Sequence, residues 1–272
     1  MPYSDLCREK ILSENYHDFI VSDIRMPFLQ DMLEKDCCLQ NPGFFYQCAY
    51  LSKSVIKPVS LENYSYFSIP KCYSLLSMQA LNQAGILPIQ NHSTIQLSGK
   101  QVMIGFLDTG IDYQNPVFQH LDKTTRIAGI WDQTIQSGTP PESFDYGSHY
   151  TPDMINEALA SEDPYSLVPS VDNNGHGTFL ASIAAGSGDP DAQFIGAAPE
   201  SVIAVVKLKQ AKQYLRDYYF IPNTAPAFQE NDIMLGMRYL HLLAEKLGLP
   251  LIFCLALGSN LGGHSGSLPL SI

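Results

Sequence analysis

Three nearly continuous apolar runs constrain the fold of this chain more than any other feature of its sequence. They lie at residues 102–107, 202–208 and 250–257. Strands of a parallel sheet read as unbroken apolar runs because both faces of the sheet are covered, whereas half-exposed strands alternate apolar and polar residues. Helical patterns at residues 176–186 and 232–247 separate the runs. This order predicts an α/β fold of three layers, with a mostly parallel sheet between helices.

Capping and breaking residues set the bounds of the predicted helices. Residues 232–247 carry apolar side chains at helical spacing, Asn231 precedes them as the expected capping residue, and Gly248 ends the helix. Residues 176–186 are rich in small side chains, which allow a helix to pack close against a sheet. A further short strand is expected at residues 126–131.

The acidic composition excludes several classes of function. The chain has 16 Lys and Arg against 27 Asp and Glu, a formal net charge of −11, so its overall field repels phosphate groups and anionic lipids. Nucleic acid is therefore not expected as a partner. No run approaches the roughly 18 consecutive apolar residues of a membrane-spanning helix, so no membrane association is expected. The first ten residues lack the apolar core of a secretory signal, which predicts a location inside a cell.

The first 66 residues differ in character from the rest of the chain. They are mixed polar and aromatic, with short strands expected at residues 18–21 and 44–51. A stretch rich in Tyr and Ser at residues 62–70 indicates a junction. We therefore divide the chain into a small α+β unit at residues 1–66 and a larger domain at residues 67–272. The six cysteines form no Cys-x-x-Cys pair and are expected to be reduced thiols, with neither a zinc site nor a disulfide framework.

Asp108 follows the first apolar run within an Asp-Thr-Gly sequence. An Asp in this position can simply close a strand into a glycine turn. Aspartic proteases also use Asp-Thr-Gly, but their chemistry requires two such loops that share one proton. The chain contains no second Asp-Thr-Gly, so this reading would require a homodimer.

His176 stands between Gly175 and Gly177 at the start of the first predicted helix. A single His is often structural, and flanking glycines can mean only a tight turn. Glycines on both sides also leave the imidazole accessible and allow another backbone segment to come close. A general base that is oriented by a carboxylate needs this access, so both interpretations stay open for the motif alone.

Taken together, the two motifs resemble the subtilisin-like serine peptidases of family S8. In that family the catalytic residues occur in the order Asp, His, Ser. The resemblance implies that Asp108 orients His176, and that His176 deprotonates a serine and then protonates the leaving amine. Residues 196–199, Gly-Ala-Ala-Pro, also resemble a family motif, and the likeness covers residues 99–266. The long segment between Asp and His is similar to the clostridial spore-germination Csp-type branch, which implies a cytoplasmic or spore-associated location.

The resemblance also implies a substrate-binding strand in the third apolar run. Ala256, Leu257 and Gly258 would pair with an extended peptide or protein substrate through backbone hydrogen bonds. Asn260 is placed too early for the family's oxyanion-hole amide and is interpreted as a turn residue. Ser265 lies in a sequence that only approaches a nucleophile motif and is interpreted as loop.

The family's Gly-Thr-Ser-x-Ala nucleophile motif does not occur in the 272 residues. The expected function is therefore that of a serine endopeptidase whose Ser lies beyond the chain end, which makes the chain an N-terminal fragment with little activity of its own. The alternative is an inactive pseudoprotease that binds or senses peptides. By the same resemblance, residues 1–66 would be an intramolecular propeptide partner, cleaved near residues 64–68. No cofactor is expected; related folds often bind calcium, but no ligand set can be assigned.

Overall fold

The computed structural model of the protein describes residues 5–22, 36–43, 45–75, 97–188 and 195–258. The sequence interpretations of Asn260 and Ser265 fall outside these residues. Along the chain the helices and strands are α1 (Asp5–Leu12), β1 (Tyr16–Ser22), β2 (Cys37–Gly43), β3 (Tyr46–Ser52), β4 (Cys72–Leu75), β5 (Met103–Asp108), β6 (Ile127–Asp132), β7 (Ser148–Tyr150), α2 (Pro152–Ala160), α3 (Pro164–Leu167), α4 (His176–Ala185), β8 (Val202–Lys207), α5 (Gln213–Tyr218), β9 (Phe228–Gln229), α6 (Glu230–Leu247), β10 (Leu251–Cys254) and β11 (Leu257–Gly258).

A five-stranded sheet in the order β10-β5-β8-β6-β7 forms the centre of the larger domain. The first four strands are parallel to their neighbours, and only β7 pairs in the antiparallel sense. This arrangement confirms the mostly parallel sheet that the apolar runs predict. All six residues of β5 are buried, as expected for a strand that is covered on both faces.

Helices α4 and α6 cover opposite faces of this sheet. Successive side chains of a strand point to opposite faces. In β5, Met103 and Leu107 accordingly belong to the same core cluster as Leu240 of α6. Ile104 and Phe106 lie in a second core cluster with buried alanines of α4. Asp108 continues the alternation of Ile104 and Phe106, so its side chain points to the α4 face.

The third apolar run is divided between two sheets, contrary to the single strand expected at residues 250–257. Its first part, β10, pairs with β5, whereas β11 turns away and pairs in the antiparallel sense with β4. Within the described residues β10 is an edge of the central sheet, with Ile252 56% and Phe253 38% exposed. Apolar side chains on an edge strand are normally covered by a neighbouring element.

The N-terminal part of the chain contains the antiparallel sheet β1-β3-β2 and helix α1. The strands expected at residues 18–21 and 44–51 correspond to β1 and β3, while α1 and β2 were not predicted. A disulfide joins Cys7 of α1 to Cys38 of β2, with Cα atoms 5.4 Å apart. The expectation of six reduced thiols is therefore wrong for this pair, because the fold brings together two residues that are 31 positions apart. The division of the chain at residue 66 stays a prediction.

Helix α6 starts at Glu230, two residues before its predicted start, and its first turn is buried. Asn231 does not cap this helix, contrary to the sequence prediction. Its side-chain amide is buried and donates to Oδ2 of Asp18 in β1, at 3.0 Å. The side-chain oxygen of Asn231, which a cap would use, accepts from Gln229 Nε2 at 2.9 Å. Both ends of the amide therefore satisfy buried polar partners, and neither caps the helix.

Asp18, Lys212, Gln229 and Asn231 together form a buried polar group, called here the interface cluster. Oδ2 of Asp18 also accepts from Gln229 Nε2 at 2.6 Å, and Oδ1 accepts from the Lys212 ammonium group. Asp18 is 1% exposed and Lys212 3% exposed. Burial lowers the pKa of Lys212, and the neighbouring Asp18 opposes this shift. The cluster joins the N-terminal sheet to the start of α6 through groups that solvent does not reach.

Candidate functional site

The two residues predicted to be catalytic meet at the carboxyl edge of the central sheet. Asp108 ends β5 and His176 begins α4. Nδ1 of His176 lies 2.8 Å from Oδ1 of Asp108, although the residues are 68 positions apart. The side chain of Asp108 is 2% exposed and that of His176 is 17% exposed. The geometry is that of a buried carboxylate which holds a partly accessible imidazole by one nitrogen.

Glycines allow this close approach, as their positions in the sequence suggest. Gly175 precedes α4 with φ of 84°, a left-handed conformation that glycine adopts without strain. Gly177 packs against the backbone of Gly110, and a methyl group in its place would collide with the Gly110 carbonyl oxygen. Any larger residue at 177 would therefore move the first turn of α4, and with it His176, away from β5.

Burial raises the pKa of Asp108, while the hydrogen bonds from His176 and from the Thr109 amide act in the opposite direction. Oδ1 of Asp108 accepts from the Thr109 amide at 2.7 Å. An ionised carboxylate can only accept hydrogen bonds, so its His176 partner must carry a proton on Nδ1. The lone pair of the neutral imidazole is then on Nε2. The arrangement can take up a proton at Nε2, and Asp108 stabilises the resulting imidazolium.

The chain continues from β10 into a second, three-stranded antiparallel sheet. The order of its strands is β11-β4-β9, so β4, residues Cys72–Leu75, is the middle strand. Leu257 pairs with Leu75 and Gly258 with Ser74, whereas Cys72 and Tyr73 pair with β9 on the other side. Of the residues predicted to bind substrate, Leu257 and Gly258 lie in this ladder. Ala256 directly precedes it.

An open cleft of about 670 Å³ borders the same region. Its walls include Thr109, Asn173 and Asn174, which adjoin the Asp108 and His176 motifs in sequence, together with Lys207 and Phe228. Sequence reasoning did not identify these wall residues, because no local motif marks them. A cleft of this volume is large enough to receive side chains of an extended peptide.

Neither a metal centre nor a membrane-spanning helix is found in the described segments. No group of three or more His, Cys, Asp or Glu side chains comes together there in a way that could hold a metal ion. No helix in these segments is both long and apolar enough to cross a bilayer.

Comparison with known proteins assigns the region that contains this site. Residues 99–233 match the model of the Subtilase family, peptidase S8. Over these residues the chain belongs to the subtilase family. The match includes both Asp108 and His176, and it confirms the subtilisin-like α/β fold that the sequence motifs imply. Its limits also place the N-terminal sheet outside the matched subtilase region.

A solved structure refines the relationship to other subtilases. The CspB protease of Clostridium perfringens is 34% identical and superposes with a TM-score of 0.55, over 68% of this chain and 34% of that chain. This similarity confirms the predicted likeness to Csp-type proteases. The subtilisin-like protease SBT2.2 of Arabidopsis thaliana is 32% identical over 131 residues, which are 41% of this chain and 15% of that protein. The chain thus spans only a small part of these relatives.

Proposed function

We propose that the chain is part of a serine-type endopeptidase, which hydrolyses peptide bonds through an acyl-enzyme intermediate. His176 acts as general base toward a serine hydroxyl and then as general acid toward the leaving amine. Asp108 holds the imidazole in the required tautomer. The serine is supplied by sequence outside residues 1–272, since these residues contain no Gly-Thr-Ser-x-Ala motif. Among the described residues the apolar edge of β10 is exposed, which supports this proposal because further strands of the domain would cover it.

The observation that carries the proposal is the contact of 2.8 Å between His176 Nδ1 and Asp108 Oδ1 at the carboxyl edge of a parallel sheet. Ligands of open α/β sheets bind at this edge. An imidazole that is oriented by a buried carboxylate and is itself 17% exposed is suited to moving a proton to and from a nucleophile. An aspartic-type enzyme would leave the position of His176 without an explanation.

The substrate is a peptide or protein segment in extended conformation, which takes the place now held by Cys72–Leu75. Binding in this position adds a strand between β9 and β11, so backbone hydrogen bonds contribute affinity and side-chain pockets contribute specificity. Residues 1–66 belong to an intramolecular propeptide. Because the segment between β9 and β11 is 72–75, a self-cleavage point C-terminal to Leu75 fits the geometry better than the junction near residues 64–68. The N-terminal sequence of processed protein distinguishes the two positions.

Proline substitutions at Leu257 and Gly258 test this binding mode. Successive amides of a strand point in opposite directions, so only one of the two N–H groups is directed toward the peptide. We expect the proline that removes the N–H group directed toward the peptide to raise KM about tenfold, in line with the loss of a single backbone hydrogen bond. The proline at the other position removes an N–H group that points away from the peptide, and it is the matched control. Steady-state kinetics on a peptide substrate separate KM from kcat, and equal effects of both prolines on KM would contradict the pairing.

The first test of the function itself is the intact mass of the native protein, together with the coding sequence after codon 272. A longer chain with Gly-Thr-Ser-x-Ala that reacts with a serine-directed covalent probe supports the endopeptidase. A complete chain without the nucleophile favours a pseudoprotease that binds or senses peptides through the same groove.

A further inference from the structure

The carboxylate of Asp172 accepts five hydrogen bonds, although it takes no part in the proposed reaction. Oδ1 accepts from Thr109 Oγ1 at 2.7 Å, from the Gly175 amide at 2.9 Å and from the Asn174 amide at 3.2 Å. Oδ2 accepts from the amide and the hydroxyl of Thr178, at 2.8 and 2.7 Å. Both oxygens are therefore used, and both face N–H or O–H donors.

These hydrogen bonds connect the two chain segments that carry the catalytic pair. Thr109 directly follows Asp108, whereas Gly175 and Thr178 lie on either side of His176. The amides of the first turn of a helix have no partner within the helix, and a carboxylate at that end is favourable both as an acceptor and as a negative charge. Asp172 thus fixes the start of α4 and, with the same side chain, the loop after β5.

The Thr109 hydroxyl transmits this connection to the catalytic pair. A hydroxyl has one proton to donate. Its oxygen lies 2.7 Å from Asp172 Oδ1 and 3.2 Å from Asp108 Oδ1, so the proton is directed toward Asp172. The same oxygen then accepts from the Gly177 amide at 3.0 Å. Asp172 therefore determines which way the hydroxyl points, and this orientation ties the Asp108 loop to the residue next to His176.

The ionisation of Asp172 agrees with its role as an acceptor. Burial acts to raise the pKa of this carboxyl group. Hydrogen bonds from Thr178, Thr109 and Gly175 outweigh that effect, and the pKa is lowered below its usual value. An ionised carboxylate offers only lone pairs, which is what five donors require.

We propose that Asp172 is a positioning residue that holds the Asp108–His176 pair at its working distance, through Thr109 and through the first turn of α4. This proposal rests on the proposed function, because only that function makes Asp108 and His176 a catalytic pair. The contacts of Asp172 do not involve the serine, so the complete protein can be used to test them whether or not it has peptidase activity.

The test follows the proton on His176 Nδ1 by NMR. A proton shared between an imidazole and a carboxylate gives a resonance at low field, and its absence from His176→Ala identifies it. In Asp172→Asn an N–H group replaces one of the oxygens that accept hydrogen bonds from the start of α4, which places donor against donor. We expect the Nδ1 proton to exchange with water about tenfold faster, in proportion to one lost hydrogen bond to a charged group.

Two further variants make the result decisive. Asp122→Asn is the matched control, because Asp122 accepts from the amide and hydroxyl of Thr124 in a similar local pattern, away from the catalytic pair. We expect wild-type exchange in this variant. Thr109→Val keeps the bonds that Asp172 accepts from Gly175 and Thr178. It removes the hydroxyl that donates to Asp172 and accepts from the Gly177 amide, so it tests the connection through Thr109 if Asp172→Asn does not fold. Faster exchange in Thr109→Val supports the proposal.

The positioning role is overturned if Asp172→Asn folds and its Nδ1 proton exchanges at the wild-type rate. If Asp172→Asn does not fold, a wild-type rate of Nδ1 exchange in Thr109→Val overturns it. In the complete protein the same substitutions are expected to lower kcat and leave KM unchanged. If the protein has no peptidase activity but Asp172→Asn still accelerates exchange, the proposed function fails and the positioning role stands.

Discussion

Replacement of His176 by alanine is expected to lower kcat of the complete protein by about 10⁶-fold, the loss found when a subtilisin loses its catalytic His. The physical reason is that no other base can take the serine proton at the same place. In the described structure only the His176 imidazole is held by the Asp108 carboxylate, at 2.8 Å. Self-processing and labelling by a serine-directed probe should be lost together. Intact-mass measurements detect both self-processing and labelling by the probe. Burst kinetics with an activated ester measure the loss of acyl-enzyme formation.

The matched control for this prediction is His241→Ala. His241 lies on the exposed side of α6, 3.7 Å from Glu245, and its ring is 44% exposed. We expect this variant to process and label like the wild-type protein. If His176→Ala retains both activities at the level of the control, then His176 is not the general base, and the serine-peptidase mechanism is wrong for this protein.

The catalytic pair could be predicted from the sequence because each of its residues belongs to a short local motif. Asp108 ends an apolar run and precedes a glycine, and His176 stands between two glycines at a helix start. A parallel sheet covered by helices then places both residues at one edge. The prediction therefore needed only local patterns and one general property of the fold.

Other features depend on pairing between distant residues, which no local pattern records. Asn231 has the sequence context of a helix cap, yet the carboxylate of Asp18, 213 positions away, engages its amide. In the same way, nothing in the sequence of Cys72–Leu75 marks it as the strand between β9 and β11. The bond between Asp172 and Thr109, across 63 positions, is likewise visible only in the folded chain.

Asp18→Ala is expected to destabilise the protein by about 3–5 kcal/mol, the typical cost of removing one partner from a buried ion pair. The substitution leaves the Lys212 ammonium group buried, 3% exposed, without its counter-charge. It also removes the acceptor for the side-chain amides of Gln229 and Asn231. Domains are commonly stable by only about 5–15 kcal/mol, so this is a large fraction of the total. The midpoint of urea unfolding of the complete protein measures the loss.

The N-terminal sheet offers a matched control in the Lys10–Asp36 ion pair, whose atoms Nζ and Oδ1 are 2.6 Å apart. This pair also joins a Lys to an Asp, but the side chain of Asp36 is 49% exposed, so water screens the attraction that Asp36→Ala removes. The Lys10 ammonium group that is left, 9% exposed, still donates to the Cys37 carbonyl oxygen at 3.0 Å. Asp36→Ala should therefore shift the midpoint much less than Asp18→Ala. The double variant Asp18→Leu with Lys212→Met should recover part of the loss, because it leaves no buried charge. Equal destabilisation by Asp18→Ala and Asp36→Ala would mean that the interface cluster does not hold the N-terminal sheet to α6.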